Sequence, residues 1–177
     1  MKNIIYLILL LGVGLASCKK ESEKPNIYYG SASATKDNIK WTAKPYGVYD
    51  TVRYKKESIG IFARRFEKDI WKETLAFSEV PLVKGIYKLK RASWQVAQKN
   101  VGTQFSIEEE NGHVSGTLFL LDTLAKTNYF EVLDYNAKKN TVKIKFSATY
   151  FIRDRTKSNI IDTIKFKNGI IETKPYN

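Results

Sequence analysis

From Thr141 to Ile152 the chain alternates apolar and polar side chains almost without a break. Val142, Ile144, Phe146, Ala148, Tyr150 and Ile152 fall on one side, and Lys143, Lys145, Ser147 and Thr149 on the other. Successive side chains of a β-strand point to opposite faces, so this segment predicts a strand with one face on a core and one in water. The same period of two recurs from Ile27 onward, broken by turn residues, and no stretch carries a convincing amphipathic-helix pattern. Tyr129 to Tyr135 predicts a strand before the polar Asn136–Asn140 loop. Ile160 to Phe166 predicts one after it, and Asn168-Gly169 a tight turn into Ile170-Ile171. These elements make a meander.

Upstream, Ile27 to Thr35 and Ile39 to Ala43 flank the short turn Lys36-Asp37-Asn38. Ser58 to Phe66 and Trp71 to Val80 flank Glu67-Lys68-Asp69, and Gly85 to Lys90 follows Pro81. Gln104 to Glu109 and His113 to Leu121 join through Asn111-Gly112, the strongest short-range hairpin signal. About ten strands with this turn spacing predict an all-β fold, an antiparallel sandwich or barrel. Lys44 to Lys56 reads as a loop rich in Tyr, and Ala92 to Val101 as a loop or one short helix.

The first residues obey a different logic. Met1-Lys2-Asn3 is a short positive start, Ile4 to Leu15 is an almost unbroken apolar run, and Lys19-Lys20 ends it. That run is too short to span a bilayer as a helix, which takes about 20 residues. The order of charge, apolar stretch and small residues is that of a secretory signal peptide. Leu15-Ala16-Ser17-Cys18 resembles the lipobox of bacterial lipoproteins. The resemblance implies cleavage before Cys18, lipid on its thiol, and anchorage in the cell envelope, most simply the outer membrane. The expected organisation is a signal peptide (1–17), a lipidated cysteine with a charged tether (18–26), and a single β domain (27–177).

Several further motifs, taken in order, resemble a family of small Bacteroidota lipoproteins. They are the charged stretch Lys19 to Asn26, Trp41-Thr42-Ala43, Gly85-Ile86-Tyr87, the strand pair around Asn136–Asn140, and the closing Phe166-Lys167-Asn168-Gly169. The resemblance implies a β-rich fold and brings no activity with it.

Composition narrows the function. The chain holds 30 basic and 18 acidic side chains, a formal charge of +12. Loss of residues 1–17 removes only Lys2, which leaves +11. Such an excess favours anionic partners, although a solvated soluble surface accounts for it equally well. Acidic glycans and anionic lipid head groups suit an envelope protein, and nucleic acid is not expected there. With Cys18 as the single cysteine no intrachain disulfide can form, and with His113 as the single histidine no His-based metal set can form.

Catalysis needs a nucleophile or base with a placed partner. His113 with Ser115 and the Glu108-Glu109-Glu110 run is a poor candidate for that, so no enzyme, cofactor or metal is expected. Asp134-Tyr135-Asn136 with Asn140 could serve calcium, but turn formation explains it. The aromatics say more. Tyr28, Tyr29, Trp41, Tyr46, Tyr49, Tyr54, Trp71 and Trp94 gather in the first half among Lys44, Arg53, Lys55 and Lys56. Rings beside cations suit sugar stacking. Trp41 and Trp71 read as core, and Tyr46, Tyr49 and Tyr54 as candidate ligand contacts on a loop. The leading expectation is a non-enzymatic binding or structural module. The alternative is a lipocalin-like carrier of an apolar ligand, which needs a hollow barrel.

Overall fold

The computed structural model describes residues 27–49, 57–92, 100–108, 116–154 and 162–176. The regular elements in them are all strands: β1 (Ser31–Lys36), β2 (Ile39–Tyr49), β3 (Ser58–Glu67), β4 (Ile70–Pro81), β5 (Gly85–Ile86), β6 (Leu89–Arg91), β7 (Val101–Ile107), β8 (Thr117–Leu121), β9 (Tyr129–Asn136), β10 (Thr141–Asp154), β11 (Thr163–Thr173) and β12 (Pro175–Tyr176). Of the two expected architectures, the fold is the barrel. β1, β2, β3, β4, β7, β8, β10 and β11 follow one another antiparallel, and β11 closes the circle by pairing with both β10 and β1. The core that these strands enclose is drawn from residues between Ala32 and Ile171.

β8 and β9 share one place in the wall. Both run antiparallel to β10, β8 against Tyr150–Asp154 and β9 against Thr141–Ser147. Residues 122–128 leave the sheet between them as a loop that supplies the missing ladder bonds. Asp122 N donates to the Thr149 carbonyl (2.8 Å), and Thr149 N donates to Asn128 Oδ1 (2.9 Å). Beside the break, β5 pairs with β9 and β6 pairs in parallel with β7, so residues 85–91 seal the seam. β12 adds in parallel to β2 at Gly47 and Val48.

Alternate residues of each strand point inward, as β10 predicted. Val142, Ile144, Phe146, Ala148 and Tyr150 are all buried. An eight-stranded barrel has an interior just wide enough for side chains to fill. Here rings fill it in continuous contact: Trp41 to Phe166 (5.2 Å), Phe166 to Phe105 (5.2 Å) and Phe146 (6.2 Å), Phe146 to Phe77 (5.1 Å), and Phe77 to Phe130 (5.1 Å). Each such pair adds about 0.5–1.5 kcal/mol beyond its area.

Three expectations need correction. The stretch from Lys44 is not a loop: β2 runs on to Tyr49, and Lys44–Tyr49 pairs with Ile59–Arg64. Its alternation is hidden because the small residues Pro45 and Gly47 are the buried inward ones, while the aromatic Tyr46 faces out. Asn168-Gly169 does not end a strand. It forms a β-bulge inside β11, with Asn168 at φ 52° and the register slipping between Phe146 and Ala148. Glycine is required there because a Cβ on Gly169 would fall inside the Phe146 ring. Trp71 is not core. It pairs with Phe66 on the outer face and is half-buried. Asn111-Gly112 lies outside the described residues, although β7 and β8 on either side of it do pair antiparallel.

Candidate functional site

Cys18, Tyr54, Trp94, His113 and Ser115 lie outside the described residues. Tyr46 and Tyr49 both sit on β2, and an odd spacing sends them to opposite faces. Tyr49 turns in against the core, where its hydroxyl donates to Asn140 Oδ1 (2.5 Å). Asn140 Nδ2 in turn donates to the Pro175 carbonyl (3.1 Å). Tyr49 is thus a structural tie between β2, the β9–β10 turn and β12, and its phenol is pushed up by burial and by a hydrogen bond with Tyr135. Asn140 is engaged there, and Asn136 Oδ1 accepts from Lys139 N (3.0 Å), so both are turn residues. Among the described residues no three His, Cys, Asp or Glu side chains converge.

Tyr46 belongs to a different layer. The register places Lys44 beside Arg64, Tyr46 beside Phe62, Arg64 beside Thr74 and Phe66 beside Trp71, so the outward side chains of β2, β3 and β4 share one external face. Tyr46 stacks on Phe62 with centroids 5.0 Å apart and planes 14° from parallel. Tyr28 meets Tyr46 and Phe66 edge-on at 5.5 and 5.7 Å. The Arg64 guanidinium lies between two rings, 4.0 Å from Trp71 and 5.0 Å from Tyr46, while Lys44 sits 5.4 Å over Phe66. The Trp71 indole N–H donates to Thr74 Oγ1 (2.7 Å), which fixes the ring.

This outer layer leaves Tyr46 only 6% exposed although it points away from the barrel. Burial raises its phenol pKa, and the Arg64 charge acts against that. Arg64 Nε is buried with no hydrogen-bond partner among the described residues, so its neighbours are chiefly π faces. Ring–cation contacts contribute from about 0.5 to 2 kcal/mol, most when water is excluded. Tyr28, Phe66 and Trp71 remain half-buried and present ring surface to solvent beside Lys44 and Arg64. Sequence reading singled out Tyr28, Tyr46, Trp71 and Lys44 but missed Phe62, Arg64 and Phe66. Their own period of two within β3 is the signal that would have found them.

Two other features stand apart from this face. At the barrel end bearing the β1–β2 and β3–β4 turns, Glu73 points inward. It accepts from Trp41 Nε1 (2.7 Å) and Arg65 Nη1 (3.1 Å) and pairs with Lys36 Nζ. Those bonds occupy the carboxylate and tie β1, β2, β3 and β4 together at that end. On the wall, a groove of about 420 Å³ opens between residues 86–89 and the 122–128 loop, lined by Ile86, Leu89, Thr123, Lys126, Tyr129 and Phe130 among others. No protein-family model, curated protein or solved structure matches this chain.

Proposed function

We propose that this chain is a lipid-anchored envelope protein, held at the outer membrane through Cys18, whose barrel is a non-enzymatic binding module for acidic glycans. The anchor rests on the order of charge, apolar run, Leu-Ala-Ser-Cys and charged tether, and on the resemblance to small Bacteroidota lipoproteins. The observation that carries the binding reading is Arg64, held between Trp71 and Tyr46 with Lys44 close by. A pyranose ring packs its C–H face on Trp71 or Phe66. Its carboxylate or sulfate then meets a cation already positioned by the rings.

The lipocalin-like reading is less well supported, because the contiguous rings from Trp41 to Phe130 occupy the space an internal ligand would need. Titration of the lipid-free chain from Lys19 onward with uronate and sulfated oligosaccharides, followed by tryptophan fluorescence at low salt, tests the proposal. Saturable binding that weakens in Arg64→Ala and Trp71→Ala supports it. Absence of binding to every acidic glycan leaves only a structural role. Loss of palmitate labelling in Cys18→Ser tests the anchor separately.

A further inference from the structure

Tyr176 is a large ring left 41% exposed, yet the backbone that carries it is tied down. β12 runs parallel to β2, with Pro175 beside Gly47 and Tyr176 beside Val48. The Pro175 carbonyl accepts from Asn140 Nδ2 (3.1 Å), and Asn140 is held in turn by the Tyr49 hydroxyl (2.5 Å). A Cβ on Gly47 would stand 3.0 Å from Pro175 Cα, so the glycine lets β12 close on β2. Pro175 is buried there, and in extended backbone the next side chain points the other way. The Tyr176 ring is thereby delivered to the outer face, 6.4 Å from the ring of Tyr46.

Tyr46 is too well covered to meet a ligand itself. It acts as a spacer. Arg64 reaches it at 5.0 Å from β3, and Tyr176 reaches it from β12, on the other side of β2. The strands β4, β3, β2 and β12 therefore carry Trp71, Arg64, Tyr46 and Tyr176 in a row across the sheet. Trp71 and Tyr176 are three strand spacings apart, about 14 Å, further than one pyranose ring reaches.

We propose that Tyr176 is the length-determining residue of the glycan face. An acidic oligosaccharide lies across β4, β3, β2 and β12, its acidic sugar at Arg64 and Trp71 and a further sugar packed on Tyr176. This rests on the glycan reading above and extends it from one sugar to a chain. A tyrosine ring gives broad contact at little entropic cost, because only two side-chain angles are fixed. Once the acidic sugar is seated, contact with Tyr176 is intramolecular, so even a weak one raises the affinity of a chain that spans both. A shorter ligand gains nothing from it.

Calorimetric titration of the full chain, solubilised in detergent, with uronate oligosaccharides from the disaccharide to the hexasaccharide tests this. Affinity should rise about tenfold along the series in the parent chain. Tyr176→Ala should abolish that rise and leave disaccharide affinity unchanged, while Tyr176→Trp, which keeps a ring, should preserve it. Arg64→Ala should weaken every length. An unchanged thermal midpoint in Tyr176→Ala verifies folding. Affinity that does not grow with length in the parent, or a full rise retained in Tyr176→Ala, overturns the proposal and leaves the acidic-glycan reading standing. So does an equal loss at all lengths in Tyr176→Ala. Failure of the parent to bind any length overturns both.

Discussion

The indole N–H of Trp41 donates to the carboxylate of Glu73 at 2.7 Å, joining the edge of the aromatic core to the charged mouth of the barrel. Lys36 and Arg65 converge on the same carboxylate, and Arg65 also reaches Glu67 (2.5 Å). Glu73→Leu removes the acid that these two cations share and should destabilise the barrel by about 2–3 kcal/mol, less than for a fully buried pair because Arg65 is partly solvated. Glu73→Gln keeps an acceptor for Trp41 and should cost less. Urea unfolding ranks the two, and equal losses would show that the acceptor for Trp41 contributes little beside the charge.

A second prediction concerns the bulge in β11. Gly169→Ala forces its methyl into the Phe146 ring and should cost about 1–3 kcal/mol. Shortening the ring in Phe146→Leu should recover part of that loss in the double variant, a coupling that a double-mutant cycle measures.

Tyr150 makes the fold sensitive to alkali. Its hydroxyl is fully buried against Thr103 (2.6 Å), whose own hydroxyl donates to the Ala76 carbonyl (2.8 Å). Burial pushes the Tyr150 phenol well above its ordinary value, with the Thr103 bond pulling slightly the other way. The unfolded chain releases this proton from about pH 10 upward while the folded chain keeps it. The unfolded state then binds fewer protons, so stability is fully present below about pH 10 and falls as pH rises beyond it. Tyr150→Phe should show a shallower decline between pH 9.5 and 11 in thermal melts, about those limits being set by the unfolded phenol.

Asn128 stands in for a strand residue where β8 and β9 part. Asn128→Ala leaves the Thr149 N–H without its acceptor and should cost about 1–3 kcal/mol. Hydrogen exchange at the Thr149 amide should speed up locally before any global change. Unaltered protection there would mean that the loop contributes nothing to the ladder.

Tyr49 and Trp71 should separate stability from binding. Tyr49→Phe loses the bond to Asn140 and should lower stability by about 1 kcal/mol with glycan affinity intact. Trp71→Ala should weaken glycan binding several-fold through lost ring contact, an effect that Tyr49→Phe does not share. A glycan affinity that follows Tyr49 instead would place the binding surface elsewhere.

Alternation in the sequence determined the strands, because a period of two is a local property that each segment carries whatever its neighbours are. β10 shows this plainly, with its five inward residues from Val142 to Tyr150 all buried. The same rule failed at Pro45 to Tyr49, where the outward ring of Tyr46 is covered by Tyr28, Phe62 and Arg64. Tertiary structure alone decided that the sheet closes into a barrel, that Asn168-Gly169 is a bulge, and that Tyr46 and Tyr49 never share a surface. It also brought Arg64 between Tyr46 and Trp71, and set residues 86–89 beside the 122–128 loop. The physical reason is that alternation tells which residues share a face of one strand. Which strand lies alongside, and what covers its outer face, follow from register and closure, and those join residues as far apart as Ala32 and Ile171.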